Sequence, residues 1–124
     1  MPLDPKWEAF AQSDLKAARV LFVEGIWNQV CFHSQQCAEK LLKGSLPPEK
    51  RPRSHKIADL IRLAELPDLD EQLLQDLLLL DRFYIPSRYP DALPGSLEDG
   101  MPSESDAKES LETAENLSKF LLRS

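Results

Sequence analysis

The sequence predicts an all-α protein, an antiparallel up-and-down bundle of about five helices in which residues 1–124 form a single domain. Five segments repeat apolar residues at steps of three and four, which is the spacing of one helix face. No segment alternates apolar and polar residues as a strand does, and no Asn-Gly or Asp-Gly turn joins two apolar runs. A length of 124 residues suits one domain with one core.

The first two helices are predicted over residues 5–24 and 26–44. Asp4 is a suitable N-cap and Pro5 fits the first helical position, while Gly25 can end helix 1 in the left-handed conformation. The predicted buried stripes are Trp7, Phe10, Ala11, Ala17, Ala18, Leu21 and Phe22 in helix 1, and Trp27, Val30, Cys31, Ser34, Ala38, Leu41 and Leu42 in helix 2.

The third helix follows a proline-rich loop. Residues 45–54, with three prolines, cannot continue helix 2. Helix 3 is predicted to begin with Ser54 as its N-cap and to stop at Pro67, because proline disfavours a helical residue before it.

The last two helices flank a second loop. Helix 4 is predicted after Asp68, with Glu71 three residues later as in a capping box. Residues 85–102 contain four prolines and two glycines, and a connection of this length is usually functional. Helix 5 is predicted from Ser103, with Asp106 three residues later.

The sequence also predicts a cytoplasmic location. Cys31 and Cys37 lie about 240° apart around helix 2, so they cannot pair with each other, which suits a reducing compartment. No run approaches the roughly 18 apolar residues of a membrane span, and the N-terminal residues lack the pattern of a signal peptide.

Charge is distributed unevenly between the two halves of the chain. Residues 1–62 contain ten Lys/Arg and seven Asp/Glu, whereas residues 63–124 contain five Lys/Arg and fourteen Asp/Glu. The overall net charge of −6 disfavours non-specific binding to a nucleic-acid backbone. Any contact with nucleic acid should therefore be local and use the N-terminal half.

A cationic cluster joins helix 2 to helix 3 and is the first candidate site. One interpretation is a phosphate site, helped by free backbone N–H groups at the start of helix 3 near Ser54. The other is a solvated loop with lysines matched to the helix dipole. The members of the cluster are Lys40, Lys43, Lys50, Arg51, Arg53, His55 and Lys56.

The second candidate site lies in the long loop. Arg88 can bind a phosphate or a carboxylate with two hydrogen bonds, and Tyr89 can stack on a base. Alternatively, both residues, with Asp91, anchor the loop to the bundle.

Two further sets of polar residues have a structural interpretation and a functional one. His33 and Cys37 share a helix face, but two ligands are too few for a metal site, so a hydrogen-bonded histidine beside a buried thiol is favoured. Asp14, Glu39 and His55 form an acid–base set only if the bundle brings them together. His55 can otherwise pair with Asp59, four residues on in helix 3.

The aromatic residues are too many for the core of so small a bundle. Most are expected inside, and some at a dimer interface, where aromatic residues are enriched. The set is Trp7, Phe10, Phe22, Trp27, Phe32 and Phe83.

Several segments, in this order along nearly the whole chain, resemble the HEPN family. They are Trp7 with Asp14-Leu15 and Ala18, Gly25-Ile-Trp27, the block Phe32-His-Ser-Gln-Gln-Cys-Ala-Glu-Lys-Leu-Leu-Lys43, His55-Lys-Ile-Ala-Asp-Leu60, and Arg88-Tyr-Pro-Asp91. The resemblance implies a compact helical bundle, commonly dimeric, that often accompanies a minimal nucleotidyltransferase in toxin–antitoxin-like pairs. Other HEPN members are metal-independent ribonucleases whose signature is Arg-x(4–6)-His.

This sequence departs from the ribonuclease signature, because no arginine lies five to seven residues before His33 or His55. The preferred hypothesis is therefore a non-catalytic module that dimerises, uses no metal or cofactor, and binds a nucleotide or nucleic acid. A ribonuclease with an atypical site, and a purely structural interaction domain, are the alternatives. The preferred hypothesis uses Lys40, Lys43, Arg51, Arg53, His55, Arg88 and Tyr89; the ribonuclease hypothesis uses His55 as acid–base with Arg88 or Arg51.

Overall fold

The computed structural model describes residues 3–83 and 101–123, and this part of the chain is helical without strands. Within residues 3–83 and 101–123 the all-α prediction is confirmed, and the α-helices there number five, as predicted. The helices are α1 (Pro5–Val23), α2 (Trp27–Gly44), α3 (Ile57–Ala64), α4 (Glu71–Leu80) and α5 (Glu104–Leu122), with short 3-10 turns at Pro48–Lys50 and Asp81–Phe83.

Helices α1 and α2 form an antiparallel hairpin whose helix ends lie within one residue of the predicted ones. Asp4 caps α1 by accepting a hydrogen bond from the Lys6 backbone N–H at 2.9 Å. Gly25 adopts a φ of 73°, which allows the chain to reverse within three residues. At the other end of the hairpin the Asp4 N–H donates to the Gly44 carbonyl at 2.9 Å, so the start of α1 lies against the end of α2.

Helix α2 is the central element, because it packs against each of the other four helices. Its interior face and the faces turned toward it form one core. The most completely buried residues of that core are Ala11, Leu15, Ala18, Val30, Cys31, Cys37, Ala38, Leu41, Leu42, Ile57, Leu60, Leu77, Leu80, Phe83, Ala107, Ala114 and Leu117.

The aromatic residues divide between core and surface. Phe83 is buried, and Phe22 packs edge-on against Trp27 with ring centroids 5.2 Å apart. Phe10 is 68% exposed, so its predicted place on the buried face of helix 1 is wrong. The buried face of α1 is instead centred on Ala11, Leu15 and Ala18, which turns Phe10 toward solvent.

Two predicted helix starts are displaced, and one is confirmed. Helix α3 begins at Ile57 rather than after Ser54, and α4 begins after Asp70, whose side chain accepts from the Gln72 N–H at 3.2 Å. Ser103 and Asp106 form the predicted capping box of α5, with reciprocal hydrogen bonds of 3.1 and 2.9 Å.

The predicted long loop at 85–102 falls almost entirely outside the described residues. None of the helices in residues 3–83 and 101–123 has the length and apolar character needed to cross a bilayer.

Candidate functional site

The predicted cationic residues that the structure describes lie along the C-terminal half of α2 and in the loop after it. Their places differ in solvent exposure and in the acidic side chains nearby. Lys40 and Lys43 lie on α2, Arg51 and Arg53 in the loop, and His55 just before α3, whereas Arg88, Tyr89 and Asp91 lie outside the described residues.

Glu39 is a buried carboxylate that joins α2 to the segment before α3. Its Oε2 atom lies 3.2 Å from Lys43 Nζ and 3.0 Å from His55 Nδ1. The Gln35 side chain donates to the His55 carbonyl at 3.1 Å, which fixes the same segment a second time. The bundle therefore brings together Glu39 and His55, two of the three residues whose meeting the sequence left open, and Lys43 joins them.

Arg51 folds the loop back onto the end of α2. Its Nε donates to the Lys43 carbonyl at 2.7 Å, its Nη2 lies 3.1 Å from Asp4 Oδ2, and its guanidinium lies 5.4 Å from the Trp7 ring centroid. The backbone N–H of Lys6, together with Arg51, lowers the pKa of the Asp4 carboxyl. The guanidinium thus supplies a hydrogen-bond donor to a carbonyl at the end of α2, and through Asp4 it also holds the start of α1 beside that helix end.

Lys40 belongs to a second polar cluster, between α1 and α2. Asp14 accepts hydrogen bonds from Lys40 Nζ and, at 2.8 Å, from His33 Nδ1. Burial raises the pKa of Asp14, but the hydrogen bonds from His33 and Lys40 outweigh burial and lower it overall. Asp14 is therefore paired with His33 and Lys40 and not with Glu39 or His55, so the acid–base set of three residues that the sequence left open does not form.

His33 and Cys37 have the structural roles that the sequence favoured. His33 is hydrogen-bonded to Asp14 at the α1–α2 contact, and Cys37 is a buried free thiol whose pKa is raised to about 12 by burial. Among residues 3–83 and 101–123, no group of three or more His, Cys, Asp or Glu side chains is arranged to hold a metal ion.

The start of α3 is not open to an external anion. The Asp81 carboxylate accepts hydrogen bonds from the backbone N–H groups of Ile57 at 2.7 Å and Ala58 at 3.1 Å. Ser54, the predicted cap, instead donates to Asp59 at 2.6 Å. Asp59 pairs with Ser54 and Arg62, whereas His55 pairs with Glu39, so the alternative pairing of His55 with Asp59 is not the one found.

Arg82 is a partly buried cation that the sequence interpretation missed. It lies in a cleft of about 200 Å³ between α4 and α5, with Nη2 3.5 Å from Asp106 Oδ1 and its guanidinium 4.5 Å from the Phe83 ring centroid. Its buried Nε has no hydrogen-bond partner among the described residues. The sequence signal that could have found it is an arginine two positions after Leu80, the last residue of the apolar run of helix 4.

The chain is similar to known proteins over nearly its whole length. Residues 6–124 match the family model of the HEPN domain. The chain belongs to the HEPN family. This HEPN protein is similar to TT1696 from Thermus thermophilus, with 34% identity, a TM-score of 0.78, and 94% of this chain and 93% of that chain covered. It is also similar to ST0689, an archaeal HEPN homologue, with 34% identity, a TM-score of 0.74, and coverage of 98% and 96%. No curated protein matches it.

The two histidines of this HEPN chain are each held by a carboxylate. Asp14 holds His33, and Glu39 holds His55. The sequence lacks the Arg-x(4–6)-His signature at both histidines. The described site thus comprises two sets of paired polar side chains, one between α1 and α2 and one at the C-terminal end of α2, and the second is followed by the exposed cations of the loop.

Proposed function

We propose that this protein is a dimerising HEPN module that binds a phosphate-bearing ligand, a nucleotide or RNA, through the loop after α2. In this proposal it is the accessory partner of a minimal nucleotidyltransferase, in a toxin–antitoxin-like pair. Family membership and the sequence resemblance support the partnership. Co-purification of the protein with a nucleotidyltransferase encoded beside it would test that part.

The observation that supports ligand binding is the way Arg51 and Glu39 attach the loop to the end of α2. Arg51 bonds the Lys43 carbonyl, and Glu39 bonds His55, so the middle of the loop and its last residues are both attached to the C-terminal end of α2. The cations of the loop are thereby held beside those at the end of α2, and together they form the proposed binding surface.

The members of this surface divide into two groups. Lys43 and Arg51 are paired with Glu39 and Asp4, so they mainly hold the loop in place. Lys50, Arg53 and Lys56 are exposed on the same segment, and they supply the charge that a phosphate would meet. Lys40 contributes little to this surface, because Asp14 neutralises it.

The test is fluorescence anisotropy with labelled ATP, GTP and a short single-stranded RNA at low and high salt. We expect at least one of the three to bind, and Arg53→Ala to weaken that binding about three- to tenfold and to make it less sensitive to salt, because one phosphate contact is lost. Arg62→Ala is the matched control, since Arg62 is also an exposed arginine, lies outside the loop on α3 and pairs with Asp59.

Three outcomes have distinct meanings. Failure of all three ligands to bind the wild type would contradict the proposal. Equal effects of Arg53→Ala and Arg62→Ala would show that the loop after α2 is not the binding surface. Cleavage of the RNA in the presence of EDTA, lost in His55→Ala and retained in His33→Ala, would instead support the ribonuclease alternative. The geometry that favours this alternative is His55, held at Nδ1 by Glu39 with its side chain 57% exposed.

A further inference from the structure

Helix α1 has an exposed side that carries two large apolar residues, and the described part of the molecule leaves this face uncovered. Phe10 is 68% exposed and Val20 is 55% exposed, with Ser13 and Ala17 between them on the same side of the helix. The opposite side of α1, around Leu15, packs into the core against α2 and α5. Exposed large apolar side chains in one row on a helix indicate a surface that another element covers.

The two ends of this face carry charges of opposite sign. Lys6 is in the first turn of α1, and Glu24 directly follows its last turn, about 27 Å away along the helix axis. Neither forms an ion pair with another residue in ranges 3–83 and 101–123. On the flank of the same helix, by contrast, Arg19 is paired with Glu115 at 2.9 Å.

We propose that this face binds the same face of a second copy of the chain, with the two α1 helices antiparallel about a twofold axis. The proposal rests on the dimerisation included in the proposed function and specifies its surface. In the register that we infer, Phe10 lies opposite Val20 of the second copy, and Lys6 lies opposite Glu24 of the second copy. Ser13 and Ala17 meet near the axis, where their small side chains allow the helices to approach closely.

Of the simple ways to place two α1 helices side by side, only this antiparallel register puts complementary residues of the face opposite each other. Each pairing occurs twice, as a twofold interface requires. A parallel arrangement would bring Lys6 against Lys6 and Glu24 against Glu24, which is repulsive at both ends. A shallow apolar depression beside Phe10 lies where Val20 of the second copy would pack, and Lys16 lies at the edge, where its long side chain can reach water.

Charge reversal tests the register directly. Lys6→Glu and Glu24→Lys should each weaken the dimer, on the order of tenfold in dissociation constant, because each replaces two attractive pairs by two repulsive ones. Both substitutions suit the helix dipole at their positions, so the fold should be unaffected, which circular dichroism will verify. Sedimentation equilibrium gives the dissociation constants.

An equimolar mixture of the two single variants is the decisive sample. In the mixed dimer, Glu at position 6 of one copy faces Lys at position 24 of the other, and Lys at position 6 of the second copy faces Glu24 of the first. We therefore expect the mixture, and also the double variant, to regain wild-type affinity. A mixture as weak as its components would overturn the proposed register.

The apolar part of the face has a matched control. Val20→Asp should abolish the dimer at micromolar concentration, whereas Leu63→Asp, at a comparably exposed leucine on α3, should leave it intact. Dissociation by Leu63→Asp and not by Val20→Asp would overturn the assignment of the surface. A wild type that stays monomeric would refute the dimer of the proposed function itself, while a wild-type dimer unaffected by all α1 variants would refute the surface alone.

Discussion

The side chains of Asp14 and Glu39 determine how the polar residues of this HEPN domain are arranged. Both are buried, and each is paired with one histidine and one lysine: Asp14 with His33 and Lys40, Glu39 with His55 and Lys43. Removing one partner from such a buried group leaves the other without compensation, which costs about 3–5 kcal/mol in comparable cases. The Asp14 cluster therefore stabilises the α1–α2 contact, and the Glu39 cluster the attachment of the loop, only while both partners of the carboxylate are present.

The free energy of unfolding at acidic pH should depend on the pairing of Asp14. Its pKa is lower in the folded protein than in the unfolded chain, so the unfolded state binds the proton more readily. The stabilisation is therefore complete above about pH 4 and is lost as the pH falls through the lowered folded-state pKa. Asp14→Asn should reduce the free energy of unfolding at pH 7, and the difference from the wild type should shrink toward pH 3.

Urea unfolding at several pH values measures this difference. Glu112→Gln is the control, since Glu112 is exposed on α5 and should leave the acid slope unchanged. Asp81 works in the opposite direction, because burial raises its pKa, but it is present in both proteins and cancels in the comparison. A constant gap between wild type and Asp14→Asn across the acid range would contradict the pairing.

At the scale of the elements, α3 depends on a residue 24 positions away in the sequence from its first residue. Asp81 caps α3 from the turn after α4, a role that local sequence normally assigns to the residue before the helix. This capping fixes the α3–α4 pair and closes the helix end that a phosphate would otherwise meet.

Asp81→Ala should therefore destabilise the protein by about 1–2 kcal/mol, since it removes both hydrogen bonds at the start of α3. The Ile57 and Ala58 amides should exchange hydrogen faster, by the factor that corresponds to this loss of free energy, if exchange occurs through local opening. Asp76→Ala, on the neighbouring helix α4, should cost less than about 0.5 kcal/mol. Equal losses in the two variants would show that Asp81 acts by general surface charge.

At the scale of the whole molecule, the approach of α1 to α2 is limited by Gly44. A Cβ atom at this position would lie 2.7 Å from the Trp7 Cβ and 3.0 Å from the Leu3 Cδ1 atom. The contact brings the start of α1, the end of α2 and Arg51 together, so the loop surface of the proposed function depends on it.

Gly44→Ala should destabilise the protein by about 1–3 kcal/mol, because the two helix ends must move apart. Helix propensity alone predicts the opposite, a gain of about 1 kcal/mol for alanine over glycine. Thermal and urea unfolding decide the sign, with Ser105→Ala, at an exposed position of α5, as a control that should be neutral or slightly stabilising. A stabilised Gly44→Ala would mean that the α1–α2 contact is looser than described.

The features that the sequence predicted correctly are those set by neighbouring residues. The caps Asp4 and Ser103 and the turn at Gly25 act within four residues of the helix ends that they define. Phe10 shows the limit of this reasoning, because helical spacing allows it on either side of α1 and only the position of α2 and α5 decides which side is buried.

The sequence by itself therefore determined the class of fold, the five helices and the HEPN resemblance, since backbone hydrogen bonding, capping and periodicity are local. Only the tertiary structure decided which charges pair: Glu39 with His55, Asp14 with Lys40, and Asp81 with the start of α3. Such pairs join residues 16 to 26 positions apart, and their energy depends on burial and distance, which no sequence spacing specifies.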